Sequence, residues 1–165
     1  MPDPLFVDSS ALIALFVPRD ERHEEAKAVL LDAQRTRRPL FASTDVFDEV
    51  ITFLCRRAGP EPAVRIGDEL RREEVLRLVR VDDEIRERAW AIFKARRLPA
   101  LSFTDCTSSA ILSSRRIREV FTFDDDFRRL GHRVVPGPRP LLRPRDATPR
   151  GRRGVSRRAK AGAAR

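Results

Sequence analysis

The chain has 165 residues, of which 41% are hydrophobic and 36% charged, so it suits one domain with its own core and leaves little room for a second. No apolar run approaches the roughly 20 residues that span a membrane. The start, Met-Pro-Asp-Pro, lacks the basic segment of a signal peptide, so we expect a cytoplasmic protein. The net charge of +9 comes entirely from residues 139–165, whereas residues 1–138 are electrically balanced.

The first half of the chain alternates apolar runs too short for helices with segments whose apolar residues recur at helical spacing. Ser9 or Ser10 can cap the first helix, and Gly59-Pro60 ends the third. The predicted elements, in chain order, are a strand at 5–7, helices at 11–16 and 21–35, a strand at 40–42, and helices at 45–58 and 61–72.

The second half continues the alternation. Its predicted elements are a strand at 75–81, a helix from 82 or 83 to 97, a helix from 104 or 105 to 114, a strand at 120–123, a helix at 126–130 and a strand at 133–135. Because strands and helices alternate throughout, we predict an α/β fold with a parallel sheet that helices flank on both faces. Residues 1–138 would form this domain, and residues 139–165, rich in Pro, Gly, Arg and Ala, a disordered basic tail.

Four acidic residues stand out by their positions. Asp8, Asp105 and Asp124 each follow a short apolar or β-prone run, and Glu49 lies in an amphipathic helical segment. Open α/β sheets bind ligands where their parallel strands end. Carboxylates gathered there repel one another unless a cation lies among them, and Mg²⁺ or Mn²⁺ is the usual occupant of an all-oxygen site. The pattern predicts a metal-dependent hydrolase, with phosphodiester cleavage as its natural chemistry.

Each acid also has a purely structural interpretation. Asp8 could cap the helix that follows it, and Asp105 could favour the macrodipole of its helix. Glu49 could pair with Arg56 or Arg57 across one helix face. The functional interpretation therefore depends on all four acids occurring together.

The histidines, glycines and cysteines of the chain argue against histidine-based catalysis, dinucleotide binding and zinc binding. The chain has two histidines, neither in a catalytic context, and it has no GxGxxG or Walker sequence. A haloacid-dehalogenase-like phosphatase would need Asp where Ser10 stands. Cys55 and Cys106 lack a CxxC context, so we expect two buried thiols rather than a zinc site or a disulfide. Trp90 and the ten Phe residues are expected to pack in the core.

Four short motifs contain the acids, and their order matches that of a known family. They are Val7-Asp8-Ser9-Ser10-Ala11, Asp48-Glu49-Val50, Leu101-Ser102-Phe103-Thr104-Asp105 and Phe121-Thr122-Phe123-Asp124-Asp125-Asp126. Together they resemble PIN-domain ribonucleases, and the branch they resemble most is the VapC toxins of bacterial toxin–antitoxin pairs. The resemblance covers roughly residues 4–135 and leaves the tail unexplained.

The resemblance implies a role for each matching position. The catalytic, metal-binding acids would be Asp8, Glu49, Asp105 and Asp124. Ser9 and Thr122 would hydrogen-bond carboxylates or metal-bound water. The run of three acids adds an alternative: Asp126 could reach the same metal ion, whereas Asp125 should point away.

The same resemblance implies a Mg²⁺- or Mn²⁺-dependent endoribonuclease that hydrolyses RNA phosphodiester bonds with metal-activated water. Its partners would be an RNA substrate, a cognate antitoxin and a second copy of itself in a homodimer. The alternative is a PIN-like module that binds RNA or protein without cutting. The tail arginines are candidates for sequence-independent contacts with RNA phosphates: Arg152, Arg153, Arg157 and Arg158.

Overall fold

A computed structural model of the chain describes residues 2–96 and 98–137. The predicted basic tail, residues 139–165, lies outside the described residues. So do the four tail arginines that the sequence nominates for RNA binding, Arg152, Arg153, Arg157 and Arg158.

The described residues form five strands and seven helices in the predicted order. They are β1 (Leu5–Val7), α1 (Ser9–Phe16), α2 (His23–Arg35), β2 (Leu40–Ser43), α3 (Thr44–Ala58), α4 (Pro60–Leu70), β3 (Arg77–Val79), α5 (Asp83–Arg96), α6 (Phe103–Ser114), β4 (Glu119–Phe121), α7 (Asp126–Arg129) and β5 (Arg133–Val135). None of the helices in this part of the chain has the length and apolar character that crossing a membrane requires.

The strands form one sheet of order β3-β2-β1-β4-β5, and every pairing is parallel. All three residues of the central strand β1 are buried. Because successive side chains of a strand point to opposite faces, both faces of the sheet are covered, as predicted for this α/β fold. The carboxyl ends of β1 and β4 lie side by side, since the Asp8 N–H donates to the Phe121 carbonyl oxygen (2.9 Å).

The core consists of strand residues and the apolar stripes of the helices packed on them. Phe6, Phe121 and Phe127 are among its largest fully buried side chains, and burying each one stabilises the fold by about 1.5–3 kcal/mol. Helix α4 approaches α3 closely at Gly67, where a Cβ atom would meet Ile51 Cδ1 at 3.2 Å. The predicted break between these helices is confirmed: Gly59 has φ +93°, a conformation that favours glycine.

Several element ends differ from the prediction because side chains redirect the backbone. Strand β4 ends at Phe121 rather than residue 123, since the Thr122 hydroxyl accepts a hydrogen bond from the Asp124 N–H (3.0 Å) and turns the chain. Helix α6 begins at Phe103 because Ser102, rather than Thr104 or Asp105, is its N-cap. Strand β3 is shorter than predicted, as the N–H of Val75 donates to the Arg72 carbonyl in a turn (2.9 Å).

The predicted burial of Cys55 and Trp90 is wrong. Cys55 is exposed, Cys106 is buried, and both are free thiols. Trp90 is 48% exposed, and three phenylalanines that were also expected in the core are 36–38% exposed: Phe53, Phe93 and Phe103. Cys55 and Trp90 each follow a buried residue, Leu54 or Ala89. One residue further along a helix turns the side chain by about 100°, which carries it off the buried face.

Candidate active site

The four predicted acids meet at the carboxyl end of the sheet. Asp8 follows β1, Asp124 lies in the loop after β4, and Asp105 is in the first turn of α6. Glu49 lies in the second turn of α3, which begins directly after β2. Burial raises the pKa of both Glu49 and Asp105, and the negative charges of Asp8 and Asp124 raise both pKa values further. The fold therefore brings all four within electrostatic reach of one another.

Asp8 is buried, and its two carboxylate oxygens have different surroundings. Its Oδ2 accepts hydrogen bonds from the Ser10 N–H (3.2 Å), the Ser10 hydroxyl (2.8 Å) and the Thr122 hydroxyl (2.9 Å). Its Oδ1 is buried without a hydrogen-bond partner among the described residues. Burial raises the pKa of Asp8, and the hydrogen bonds from Ser10 and Thr122 oppose that shift. Asp8 thus caps α1 with one oxygen, as its structural interpretation requires, and leaves the other free for a ligand.

Ser10 is the central hydroxyl of this network, a role that the sequence did not reveal. Besides bonding Asp8, its Oγ lies 3.0 Å from Thr122 Oγ1 and accepts from the Phe123 N–H (3.0 Å). The Ser-Ser pair after Asp8 was a signal, and the resemblance predicted that Ser9 hydrogen-bonds a carboxylate. The Ser9 side chain does so with Glu49, while Ser10 bonds Asp8. The two consecutive hydroxyls therefore serve two different acids.

Asp105 forms a reciprocal capping box at the start of α6. Its Oδ2 accepts from the Ser102 N–H (2.7 Å), and its own N–H donates to the Ser102 hydroxyl (3.0 Å). The pKa of Asp105 is raised to about 6: burial is the main cause, the charges of Asp8 and Asp124 add to it, and the hydrogen bonds from Ser102 oppose it. The structural interpretation of Asp105 is therefore also correct, and it coexists with a place in the acid cluster.

Glu49 lies at the rim of the cluster. It is exposed as a residue, but its carboxyl group is partly desolvated; this desolvation raises its pKa, and hydrogen bonds from the Ser9 and Thr104 hydroxyls lower it. Thr104 is a second hydroxyl that sequence reasoning missed. An open cleft of about 540 Å³ runs past Glu49, and its walls include Thr52, Phe53, Arg56, Arg86 and Thr104.

The remaining acids of the Asp124–126 run have cationic partners. Asp125 is exposed and pairs with Arg128 (2.6 Å). Asp126 is buried, and its Oδ1 pairs with Arg129 (2.7 Å). Its Oδ2 has no hydrogen-bond partner among the described residues. The pairing with Arg129 compensates the charge of Asp126, which makes it a weaker candidate for a metal ligand than Asp124.

The cluster fits a hard divalent cation whose shell is completed by water. Within residues 2–96 and 98–137, no Lys, Arg or His lies within ion-pair distance of Asp8, Glu49, Asp105 or Asp124. The same residues contain no three Asp, Glu, His or Cys side chains close enough to enclose an ion by themselves. Mg²⁺ retains several waters and takes one or two carboxylates directly. The unpaired Asp8 oxygen and the all-oxygen donor set suit Mg²⁺ or Mn²⁺ in this manner.

Comparison with known proteins identifies the family. The family model of the PIN domain matches residues 5–133. The chain belongs to the PIN domain family. Over 127 residues it is 32% identical to the 23S rRNA-specific endonuclease VapC20 of Mycobacterium tuberculosis, covering 77% of this chain and 94% of that protein. The predicted resemblance to PIN-domain ribonucleases and VapC toxins is confirmed.

Solved PIN structures share the fold. The crystal structure of Mycobacterium tuberculosis VapC20, described as a Sarcin-Ricin loop cleaving toxin, has a TM-score of 0.69 and 31% identity, covering 78% of this chain and 95% of that one. A toxin–antitoxin complex from Klebsiella pneumoniae has a TM-score of 0.53 and 23% identity, covering 75% and 89%. DNA-bound VapBC from Salmonella typhimurium has a TM-score of 0.58 and 17% identity, covering 81% and 97%. At these lower identities the likeness concerns the fold alone.

Proposed function

We propose that this PIN-domain protein acts in the cytoplasm as a VapC-type endoribonuclease that hydrolyses RNA phosphodiester bonds with Mg²⁺ or Mn²⁺ as cofactor. The observation that carries the proposal is the buried, unpaired Oδ1 of Asp8 within a cluster of carboxylates that has no cationic partner among the described residues. Leaving such a group unpaired in the interior costs stability, and a cation bound to this oxygen would remove that cost. The similarity to an endonuclease over most of the chain supports the same activity.

The acids and hydroxyls divide the work between binding and orientation. Asp8, Asp105, Asp124 and Glu49 would hold the metal ion, directly or through water. When bound, the ion supplies acidified water and charge neutralisation at the phosphate. Ser10 and Thr122 fix the Asp8 carboxylate through its Oδ2, which directs the free Oδ1 toward the ligand side. Ser9 and Thr104 orient Glu49 at the rim.

Among the described residues, neither histidine hydrogen-bonds or pairs with an acid of the cluster. His23 Nδ1 lies 2.8 Å from the Ala14 carbonyl oxygen, and His132 Nε2 lies 2.7 Å from the Ser109 hydroxyl. Burial also lowers the pKa of His132. Proton transfer in the proposed reaction therefore depends on the carboxylate cluster and water.

The proposal is tested with purified protein and total RNA. We expect cleavage with Mg²⁺ or Mn²⁺, none with EDTA, and none by the Asp105→Asn variant. Asp32→Asn is a matched control, because Asp32 is an exposed acid on α2 that pairs with Arg35. Cleavage that persists in EDTA, or in Asp105→Asn at the wild-type rate, would reject the metal-dependent mechanism. Growth arrest on expression that Asp8→Ala does not relieve would favour the alternative of a non-cutting binding module.

We also propose a cognate antitoxin as partner. Structures with the same fold include a toxin–antitoxin complex and a DNA-bound VapBC complex. A nuclease that arrests growth requires an inhibitor, so the gene beside this one is the first candidate. Co-expression of its product should restore growth, and the two proteins should purify as one complex.

An exposed aromatic cluster on α5 and α6 supports the proposed homodimer. Trp90 and Phe93 are stacked with ring centroids 5.9 Å apart, and Phe103 lies 6.5 and 6.2 Å from them. A contiguous group of exposed rings typically marks a protein interface. We expect a dimeric mass in light scattering and a monomeric one for Trp90→Glu. Val64→Glu, at a comparably exposed apolar position on α4, is the control and should stay dimeric. An unchanged dimer in Trp90→Glu would exclude this surface.

A further inference from the structure

The acid cluster opens on one side into the cleft of about 540 Å³ that runs along α3. Glu49 and Thr104, which hydrogen-bond each other at the rim, belong to both the cluster and the cleft. The remaining walls come from α3 and α5: Asp45, Asp48, Thr52, Phe53, Arg56 and Arg86. In the proposed nuclease, the nucleotides next to a phosphate at the acids therefore lie at the mouth of this cleft.

Helix α3 presents to the cleft a face that is not part of the core. Four exposed residues of the helix occur at the spacing of one face: Glu49, Thr52, Phe53 and Arg56. Its buried residues lie on a different side: Val46, Val50 and Leu54. With a rise of about 1.5 Å per residue, Phe53 lies about 6 Å and Arg56 about 10 Å beyond Glu49 along the helix axis. An RNA strand that leaves the acids along α3 thus meets an aromatic ring first and a guanidinium group next.

The ring of Phe53 is free to stack with a ligand. Its side chain is exposed, and no other aromatic ring of the described residues contacts it. It is therefore separate from the group of rings that supports the proposed homodimer. Nucleobases stack on exposed aromatic side chains whatever their sequence, because every base has a flat π face. Phe53 offers such a surface within one helical turn of the acid at the rim.

The charges of the cleft favour a neutral ring over a phosphate group. Its walls contain three carboxylates, those of Asp45, Asp48 and Glu49, and two guanidinium groups, those of Arg56 and Arg86. Arg86 pairs with Asp45 (3.6 Å), whereas Arg56 forms no ion pair within the described part of the chain. The acids outnumber the arginines, so the cleft attracts a phosphate weakly. The edge of a nucleobase carries both donors and acceptors, which carboxylate, hydroxyl and guanidinium groups can match.

We propose that this cleft binds one unpaired nucleobase of the RNA, stacked on Phe53 with its edge toward Arg56, beside the phosphate at the acid cluster. This deepens the proposed nuclease function and rests on it for the identity of the substrate. A base within a duplex is already stacked and paired, so it cannot enter the cleft without unpairing. The cleft therefore makes the protein select RNA that is single-stranded or looped next to the cut.

The first test measures cleavage of a short RNA that contains a cut site mapped in total RNA. Phe53→Leu keeps an apolar side chain and removes the ring, so kcat/KM should fall about tenfold, as expected for the loss of one base–aromatic stack. Phe53→Trp restores an aromatic face and should cleave at least as well as the wild type. A Phe53→Leu variant with wild-type kcat/KM would overturn the proposal.

The second test identifies the occupant with RNAs that lack the base of a single nucleotide near the cut. At one position, the missing base should lower the kcat/KM of the wild type about tenfold. Phe53→Leu should show no further loss on that RNA, because the same stack is removed only once. Losses that add at every position would show that Phe53 acts on the fold rather than on a base, and would overturn the proposal.

The contribution of Arg56 is tested with Arg56→Gln, which should lower kcat/KM about fivefold through the loss of a hydrogen bond to the base. Arg57→Gln is the matched control, because Arg57 is the next residue, is also exposed and does not line the cleft. We expect wild-type cleavage from the control. Equal losses in both variants would overturn the assignment of Arg56.

Equilibrium binding separates a failure of this site from a failure of the nuclease function. If the wild type cuts no RNA, the nuclease proposal fails, and fluorescence anisotropy with a mixed-sequence RNA, single-stranded or annealed to its complement, still decides the site. A preference for the single strand that Phe53→Leu abolishes supports the proposal, and equal affinities of the wild type for both forms overturn it. A Phe53→Leu protein that binds RNA normally but no longer purifies with the antitoxin would assign the cleft to protein docking instead.

Discussion

Two acidic residues at opposite ends of the sheet, one on β4 and one directly after the neighbouring strand β1, have opposite surroundings. Glu119 begins β4 at the amino end, and its carboxylate pairs with Arg38 (2.7 Å) and Arg133 (3.0 Å). Asp8 follows β1 at the carboxyl end and has only hydroxyl and amide donors. Both side chains are largely withdrawn from water. A carboxylate whose charge is cancelled by arginine serves the fold, whereas one held by neutral donors remains available to a cation.

The direction of the strands explains how the fold tolerates the negative charge of Asp8 without an arginine partner. In a parallel α/β fold the helices that follow the strands start at the carboxyl end, so their N-termini point toward that edge. Asp8 caps α1, which follows β1 in this way. Helix α6 follows α5 instead, and Asp105 lies in its first turn. Backbone N–H groups and helix dipoles at these positions favour negative charge. They lower the free-energy cost of placing negative charge in the acid cluster, but they do not cancel that charge.

The largest effect is expected from Asp8→Asn. Removing this charge should lower the cleavage rate by about a thousandfold or more, because metal-assisted stabilisation is worth several kcal/mol. The metal-free protein should become more stable at neutral pH, since burial penalises the charged form of Asp8. Cleavage assays and urea unfolding in EDTA would measure the two effects. A variant that loses stability and activity together would show that Asp8 serves mainly the fold.

Thr122→Val tests the hydroxyl that orients Asp8. We expect metal affinity or kcat/KM to fall by about 10–100-fold, the usual cost of losing such a supporting hydrogen bond. Isothermal titration with Mn²⁺ and single-turnover cleavage would measure it. Thr107→Val is the matched control, because Thr107 is equally buried but its hydroxyl donates to the Thr104 carbonyl oxygen (3.0 Å). Equal effects in both variants would argue against a positioning role for Thr122.

The acid cluster should make the stability of the metal-free protein fall as pH rises. The pKa of Asp105 is about 6 in the fold against an ordinary value of 3.8, so between these values the folded state binds more protons than the unfolded chain. Stability is therefore greatest below pH 4 for this group and is lost as pH rises through 6, by about 3 kcal/mol. Asp105→Asn should match the wild type near pH 4 and exceed it near pH 7 in denaturant unfolding with EDTA. Parallel stability curves for the two proteins would contradict this.

The smallest effect is expected at the amino end. Arg38→Met leaves Glu119 with Arg133 alone and also removes hydrogen bonds to the Asp3 and Pro4 carbonyl oxygens, so it should cost about 1–3 kcal/mol of stability with kcat unchanged. Arg35→Met breaks an exposed pair with Asp32 and should cost less than about 1 kcal/mol. Thermal unfolding and cleavage assays measure both. A loss of kcat in Arg38→Met would contradict the assignment of the amino end of the sheet to stability and the carboxyl end to catalysis.

Much of the fold follows from local patterns in the chain. Apolar periodicity and breakers such as Gly59-Pro60 predicted all twelve elements of the described residues in the correct order. Whether a residue at the edge of a helix's apolar stripe is buried or exposed was harder to predict. Leu54 and Ala89 are buried while the adjacent Cys55 and Trp90 are exposed, because packing against the rest of the molecule selects the width of the buried stripe.

The sequence by itself determined that Asp8 and Asp124 follow strands, and hence that they reach one end of a parallel sheet, whereas Asp105 follows a helix and a loop and is placed there by the tertiary structure. Only the tertiary structure decided which oxygen of Asp8 stays unpaired, that Ser10 and Thr104 support the acids, and that Asp126 pairs with Arg129. The physical reason is distance along the chain. Ser10 and Thr122 are 112 residues apart, yet their hydroxyls lie 3.0 Å from each other, and no local pattern encodes a contact that depends on how the strands are ordered.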